Sequence, residues 1–203
     1  MAVSLTMNSL SFYEPMRKRW FIVQFDSNFG KDENDGDALT IACKSCDIPK
    51  LTTSDQVLDR INDKVYVPGK SEYDTISLSF YEFIQDKINS GDGDGNSRQS
   101  AGAILYAWQQ QIHNAKSGVQ GAKKNIAHNL AIVQIDGNGN AVRVWNVYRA
   151  WPTTVEFANL DSADDAVQEV NVTLRFDWAE QKDVQINIGS GNAEGNPKEP
   201  TFQ

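Results

Sequence analysis

The sequence is poor in the residues that build metal and redox centres. It holds two cysteines, Cys43 and Cys46, and two histidines, His113 and His128. One C-x2-C is half of a zinc site, zinc needs three or four ligands, and both histidines lie far along the chain. A redox pair opens a helix after a strand, whereas CKSCDIP closes an extended segment and runs into Pro49. In an extended segment an offset of three puts the two sulfurs on opposite faces, so both read as reduced structural thiols. Basic residues are short as well: 19 Lys and Arg stand against 27 Asp and Glu, for a formal net charge of -8. That balance counts against sequence-independent binding of duplex DNA or an anionic membrane, which needs clustered Lys and Arg. No apolar run approaches the roughly 20 residues of a membrane span. The positive charges of MAVSLTMNSLSFYEPMRKRW follow its mildly apolar stretch, the reverse of a secretory signal. A soluble acidic protein kept in a cytoplasm is the expectation, and 203 residues suffice for a core without disulfide or metal.

Catalytic signatures are missing too. Gly189-Ser190-Gly191 lies in a polar tail, not at a strand-to-helix elbow. GDGDGN lacks the Lys-Ser or Lys-Thr of a phosphate loop. Asp92, Asp94 and Asn96 have the alternate spacing of a calcium loop, but Ser97 stands where Gly is required and Ala103 where the bidentate Glu belongs. Asp136, Asn138 and Asn140 fail likewise at Ala141 and Val147. Asp161, Asp164 and Asp165 read as a solvated turn. The expectation is no enzyme, no cofactor and no metal.

What is present is strand chemistry. Trp20–Asp26 is a compact apolar run of strand length. Residues 27–38 are Gly- and Asp-rich and read as a loop, and Leu39–Lys44 reads as a second strand. From Asp47 to Lys70, Leu51, Val57, Leu58, Ile61, Val65 and Val67 are scattered among Thr, Ser and Asp, which reads as a long excursion of irregular extended pieces. Excursions of that length inside a domain are usually functional. In Asp74–Glu82 and Glu169–Trp178 apolar and polar residues alternate strictly, the mark of antiparallel strands with one buried face. Leu130–Ile135 and Val142–Tyr148 flank Asp136-Gly137-Asn138-Gly139-Asn140, the chemistry of a hairpin turn. Ala101, Leu105, Trp108, Ile112 and Ala115 recur at helical spacing, with Ser100 placed to cap the start and Gly118 the end. The fold class is therefore mainly β: an antiparallel β-sandwich or barrel with one amphipathic helix and a long extended loop. Its organisation is an arm over 1–18, a single domain over 19–188 and a Gly/Asn/Pro-rich tail over 189–203.

These pieces resemble a known family in motif order over roughly residues 18–180. Trp145-Asn146-Val147-Tyr148-Arg149-Ala150-Trp151-Pro152-Thr153-Thr154-Val155, the Leu160-Asp161 turn and Val167–Trp178 look like the C-terminal half of the tail tube proteins of contractile-tailed bacteriophages. There a strand ends in Trp-Pro and a long alternating strand follows. Trp20–Phe25 is similar to the family's first strand, Cys43–Pro49 to its strand-to-Pro exit, and Val67-Pro68-Gly69-Lys70 with Tyr73–Tyr81 to the return from its long loop. The loop 27–37, the linkers 89–99 and 116–126 and both ends make this chain longer than typical members.

The resemblance implies a structural subunit that forms hexameric rings and stacks them into a tube. Its inner barrel is a continuous sheet inside an outer sheath, and DNA and a tape-measure protein pass through it. The implied partners are other copies of the chain, tail sheath, baseplate and tape-measure proteins, and DNA in transit without specific binding, with no membrane. The implied place is the virion tail, assembled in a bacterial cytoplasm. Subunit-interface candidates are Pro49, Leu51, Val57, Leu58, Ile61, Tyr66, Pro68, Gly69, Trp151 and Pro152. Trp151-Pro152 reads first as a strand end filling a core corner and second as a contact, while Leu51, Val57, Leu58 and Ile61 read first as an intersubunit patch, because the loop is so long, and second as a local satellite core. The tube of a type VI secretion or extracellular injection machine fits the same architecture, and a monomeric β-sandwich binding module is the alternative from another class.

Overall fold

The computed structural model describes residues 15–26, 29, 35–84 and 100–183. Most of the arm, the linker 89–99 with Asp92, Asp94 and Asn96, and the tail lie outside the described residues.

Alternation decides the centre of the fold. In β5 (Ile76–Tyr81) and β8 (Glu169–Arg175), Ile76, Leu78, Phe80, Val170, Val172 and Leu174 are all buried, while Ser77, Ser79, Asn171 and Thr173 point the other way. The two strands pair antiparallel with Leu78 opposite Val172 and Ser79 opposite Asn171. Burying each such side chain contributes about 1.5–3 kcal/mol. β2 (Cys43–Cys46) flanks β5, and the C-terminal part of β7 (Ala141–Phe157) flanks β8, which gives a front sheet in the order β7, β8, β5, β2.

The first part of β7 belongs to a second, back sheet, between β6 (His128–Ile135) and β9 (Trp178–Asp183), with β1 (Phe21–Phe25) beyond β6. β7 therefore serves both sheets. It changes partners at Arg149, which has φ 56, followed by a bulge between Pro152 and Thr154. A non-glycine residue in that left-handed region costs about 1–2 kcal/mol. The Arg149 amide donates to the Asn129 side-chain oxygen at 3.1 Å, and the Thr153 hydroxyl to the Thr173 carbonyl at 3.0 Å. Bulges tolerate a proline that cannot donate to the ladder, and Pro152 is buried there.

The core fills the space between the sheets and is capped by α2 (Ala101–Ile112) through Ala101, Ile104, Leu105 and Trp108. Ser100 caps this helix by accepting from the Ala103 amide, and the Glu82 carboxylate accepts from the Gly102 amide at 2.8 Å. Both satisfy amides that a helix start leaves without partners. Trp108 donates through its indole N–H to the Ile126 carbonyl at 2.7 Å, tying α2 to the short α3 (Lys123–Ile126).

Four expectations are corrected. Leu39–Ala42 is not strand but the end of α1 (Asp35–Ala42), where Leu39 and Ala42 share a buried face at helical spacing; strand begins only at Cys43. α2 ends at Ile112, so Ala115 lies outside it, and Gly118 with φ 69 shapes a later turn. The strand through Trp151-Pro152 does not stop there but continues to Phe157. The alternation through Trp178 spans two strands, β8 and β9, with Phe176 and Asp177 between them.

The expected irregular excursion is regular. β3 (Leu51–Asp59) and β4 (Lys64–Tyr73) form an antiparallel hairpin with its own two-stranded sheet, and every residue of β3 is exposed. Its base is anchored where the Tyr73 hydroxyl donates to the Ala179 carbonyl at 3.1 Å and its ring packs on Phe176.

Candidate assembly surfaces

Three surfaces stand out, each made by a different strand pattern. The outer face of the front sheet is hydrophilic and internally matched. Ser77 lies opposite Thr173 and Ser79 opposite Asn171, with Thr154 and Glu156 continuing the two rows on β7. The Ser79 hydroxyl meets the Asn171 side-chain oxygen at 2.5 Å. Lys44 pairs with Glu169, and Arg175 pairs with Glu72. The Lys44 ammonium is held above its ordinary pKa chiefly by its hydrogen bond to Glu169. Among the described residues, both borders of this sheet, β2 and Trp151–Phe157, have a strand on one side only. Such edges are templates for pairing with another chain.

The second surface is the β3–β4 hairpin. Leu58 faces Val65 and Gln56 faces Val67 across one side, while Val57 faces Tyr66 across the other. Leu51, Val57, Leu58, Ile61 and Tyr66 are exposed, Ile61 fully so. A two-stranded hairpin with apolar groups on both faces has no core of its own to bury them.

The third surface is made by β6 and the first part of β7, whose apolar residues on both faces fit the middle of a sandwich or a protein interface. On the back sheet, Ala131 and Val133 alternate with the core residues Leu130 and Ile132 and so face away from the core. Register places Gln24, Ala131, Asn146 and Glu180 in one row across β1, β6, β7 and β9, and Ile22, Val133, Val144 and Lys182 in the next. Tyr148 and Trp178 form a stacked pair beside them, with ring centroids 3.9 Å apart. The enclosed side-chain oxygens of Gln24 and Asn146 have no hydrogen-bond partner among the described residues. The signal was legible: β6 and the first part of β7 are apolar at both odd and even positions.

The predicted contact residues divide by burial. Leu51, Val57, Leu58, Ile61, Tyr66 and Pro68 sit together on the exposed hairpin. Gly69 is half-buried at the hairpin's bulge, where a Cβ would come within 2.5 Å of the Ser54 hydroxyl. Pro49 and Pro152 are buried within the chain and Trp151 is half-buried, so these three offer little surface.

The titratable groups are structural in placement. Cys43 and Cys46 were expected on opposite faces, but a bulge between Cys43 and Ser45 turns both against the core. Burial pushes the Cys43 thiol up to about 12 and raises Cys46 as well. His128 lies half-buried against Phe29 and Trp108, and desolvation lowers its pKa. The Asp136 carboxylate accepts from the amides of Asn138 and Asn140, each at 2.8 Å, which closes the β6–β7 turn.

The described residues thus form a mainly antiparallel sandwich with a flanking helix, two sheet borders and a projecting hairpin. Residues 3–179 match the family described as phage tail tube protein, and the chain belongs to that family. No curated protein matches it. Among solved structures it is similar to the anti-feeding prophage tube-terminating cap, at 16% identity and TM-score 0.60, over 85% of this chain and 93% of that one. The sheath–tube complex of an extracellular contractile injection system, in the extended state, gives 19% identity and TM-score 0.58, over 89% and 100% of the two chains. The anti-feeding prophage baseplate gives 12% identity and TM-score 0.61, over 86% and 99%. At these identities the likeness shows the fold.

Proposed function

We propose that this chain is the subunit of a tail tube, closing into hexameric rings that stack into a conduit for DNA. The observation that carries this reading is the pairing of a water-adapted front face with two open borders on the same sheet. Joining the border of β2 to the Trp151–Phe157 border of the next copy makes the front sheets continuous around a ring and removes both edges. The lumen is then lined by Ser77, Ser79, Asn171, Thr173, Thr154 and Glu156, with Lys44 and Arg175 each held by a carboxylate. Such a wall has little unpaired positive charge, so passing DNA is not retained by counterion release. The family and the fold support a structural role without catalysis. The β3–β4 hairpin reaches a neighbouring subunit, and a sheath outside, a baseplate at one end and a tape-measure protein inside complete the partners, with assembly in the bacterial cytoplasm.

A second reading, the tube of a type VI secretion or extracellular contractile injection system, is supported by the similarity to the sheath–tube complex of one such system. A monomeric β-sandwich binding module is the reading from another class.

Size-exclusion chromatography and negative-stain microscopy of the whole chain test the proposal: rings or tubes are expected, and a strict monomer across concentrations overturns it. Replacing residues 53–71 by a short Gly-Ser turn, at the paired positions Thr53 and Ser71, is expected to leave a folded subunit that forms no tube. Normal tubes from that variant would remove the hairpin's role.

A further inference from the structure

We infer that the corner around Arg149 on one copy receives the 158–168 turn of another, an assignment that rests on the assembly reading above. Register puts these two features at opposite ends of the front sheet: Trp151 pairs with Arg175 beside the corner, and Phe157 with Val170 beside the turn. Six residue steps of about 3.3 Å separate them by roughly 20 Å, so one chain does not bring them together. Arg149 carries the argument. It holds φ 56, a conformation that Gly or Asn takes with less strain, so the position is occupied for the sake of its side chain. Within the chain that side chain has little to do. Among the described residues the guanidinium has one ion pair, at 3.6 Å to an Asp177 oxygen, and Lys123 engages the other oxygen of the same carboxylate. A five-donor fork, 70% exposed and set against one shared carboxylate, is free to take a second.

The occupant is set by complementarity of charge and of apolar surface. No Asp or Glu occurs from Gly95 to Ile135, and Lys124 stands exposed beside Lys123 on α3. Among the described residues, Asp177 is the one carboxylate that pairs with any of Lys123, Lys124 and Arg149. Beside it Trp178, stacked on Tyr148, is 44% exposed. The turn is the converse of this corner. Asp161, Asp164 and Asp165 are exposed and form no ion pair among the described residues. Leu160 and Val167 flank them, 84% and 62% exposed. Opposite charges steer the encounter and fix its register. Leu160 and Val167 against Trp178 add the apolar burial that a solvated ion pair lacks. Each copy carries one corner and one turn at opposite ends, so the contact is heterologous and propagates along the front strands.

Charge reversal with rescue decides it. The full chain is made as Arg149→Glu, as Asp164→Arg with Asp165→Arg, and with all three substitutions together, and assembly is read by sedimentation and negative-stain microscopy. Each reversal alone is expected to lower the assembled fraction at least about tenfold, the effect of some 1.4 kcal/mol, and the combined chain to recover most of the loss. Arg149→Gly separates contact from folding. It removes the guanidinium while easing the left-handed backbone, so the monomer should keep its urea midpoint and still assemble at least about tenfold less. Arg149→Gly that assembles like wild type overturns the assignment while leaving tube formation intact, and so do reversals that the combination fails to rescue. Wild type that never assembles overturns both readings.

Discussion

The two sheets of this sandwich share β7 and one core, yet their outer faces solve opposite problems. The front face is Ser, Thr, Asn and paired charges, and its hydroxyl and amide groups meet each other, as Ser79 meets Asn171. The back face is valine, alanine and carboxamide. Among the described residues, the enclosed side-chain oxygens of Gln24 and Asn146 on this face have no partner, and neither do the Gln134 oxygen and Trp145 indole nitrogen on the core-facing side of the same strands. A surface that lives in water keeps its polar groups satisfied by neighbours or solvent. One that lives against protein can leave them waiting. In hydrogen bonding the front face is finished within the chain and the back sheet is not.

The largest effect expected is common to both faces. Phe80 is fully buried in β5 and packs in the core with residues from both sheets. Phe80→Ala should destabilise the chain by about 3–5 kcal/mol, read as a lower urea midpoint. A smaller loss would mean that the sheets do not share one core.

Opposite signs come next. Asn146→Leu removes a buried carboxamide whose oxygen has no partner, at nearly constant volume, and should stabilise the monomer by roughly 1–2 kcal/mol. Ser79→Ala removes a satisfied contact with Asn171 and should destabilise by about 0.5–1.5 kcal/mol. Chemical denaturation of the two variants side by side checks this. If both shift stability in the same direction, the distinction between a finished and an unfinished face is lost.

Much of the front sheet was legible because its alternation records a boundary between core and water: Ile76, Leu78 and Phe80 against Ser77 and Ser79 are readable without a structure. The β6–β7 hairpin was legible from its turn, where Asp136 does what Asp does in turns. The β3–β4 hairpin was not, because a strand exposed on both sides within the chain has no in-and-out pattern to print. Its apolar residues therefore looked scattered when they are paired. α1 was misread because Thr40 and Ile41 favour strand locally, and burial of Leu39 overrides them. The CKSC bulge hid in the same way, since one extra residue moves a side chain to the other face. The contact candidates on the hairpin stayed together, while Pro49 and Pro152 turned inward, because an isolated sequence does not distinguish a proline that ends a strand from one seated in a bulge.

A chemical probe should separate the cysteines from any redox role. With the Cys43 thiol pushed up to about 12 by burial, the thiolate is scarce at pH 8, so the native chain should react with Ellman's reagent at least about tenfold more slowly than the urea-unfolded chain, whose thiols have pKa near 8.5. Equal rates would mean that the bulged β2 opens readily at the border of the front sheet.

The smallest effect belongs to the back sheet. His128 begins β6 and sits among Phe29 and Trp108, and desolvation lowers its pKa below the unfolded value of 6.5, while Asp26 acts in the opposite direction. The unfolded chain therefore binds this proton more readily than the folded one, and stability must fall as pH drops through about 6.5. The loss continues until the folded-state value is passed. His128→Phe keeps the ring and removes the titration, so thermal melting between pH 7.5 and 5.5 should show a shallower decline for the variant than for the wild type. Identical pH profiles would mean that His128 is solvated and that acid acts on the carboxylates alone.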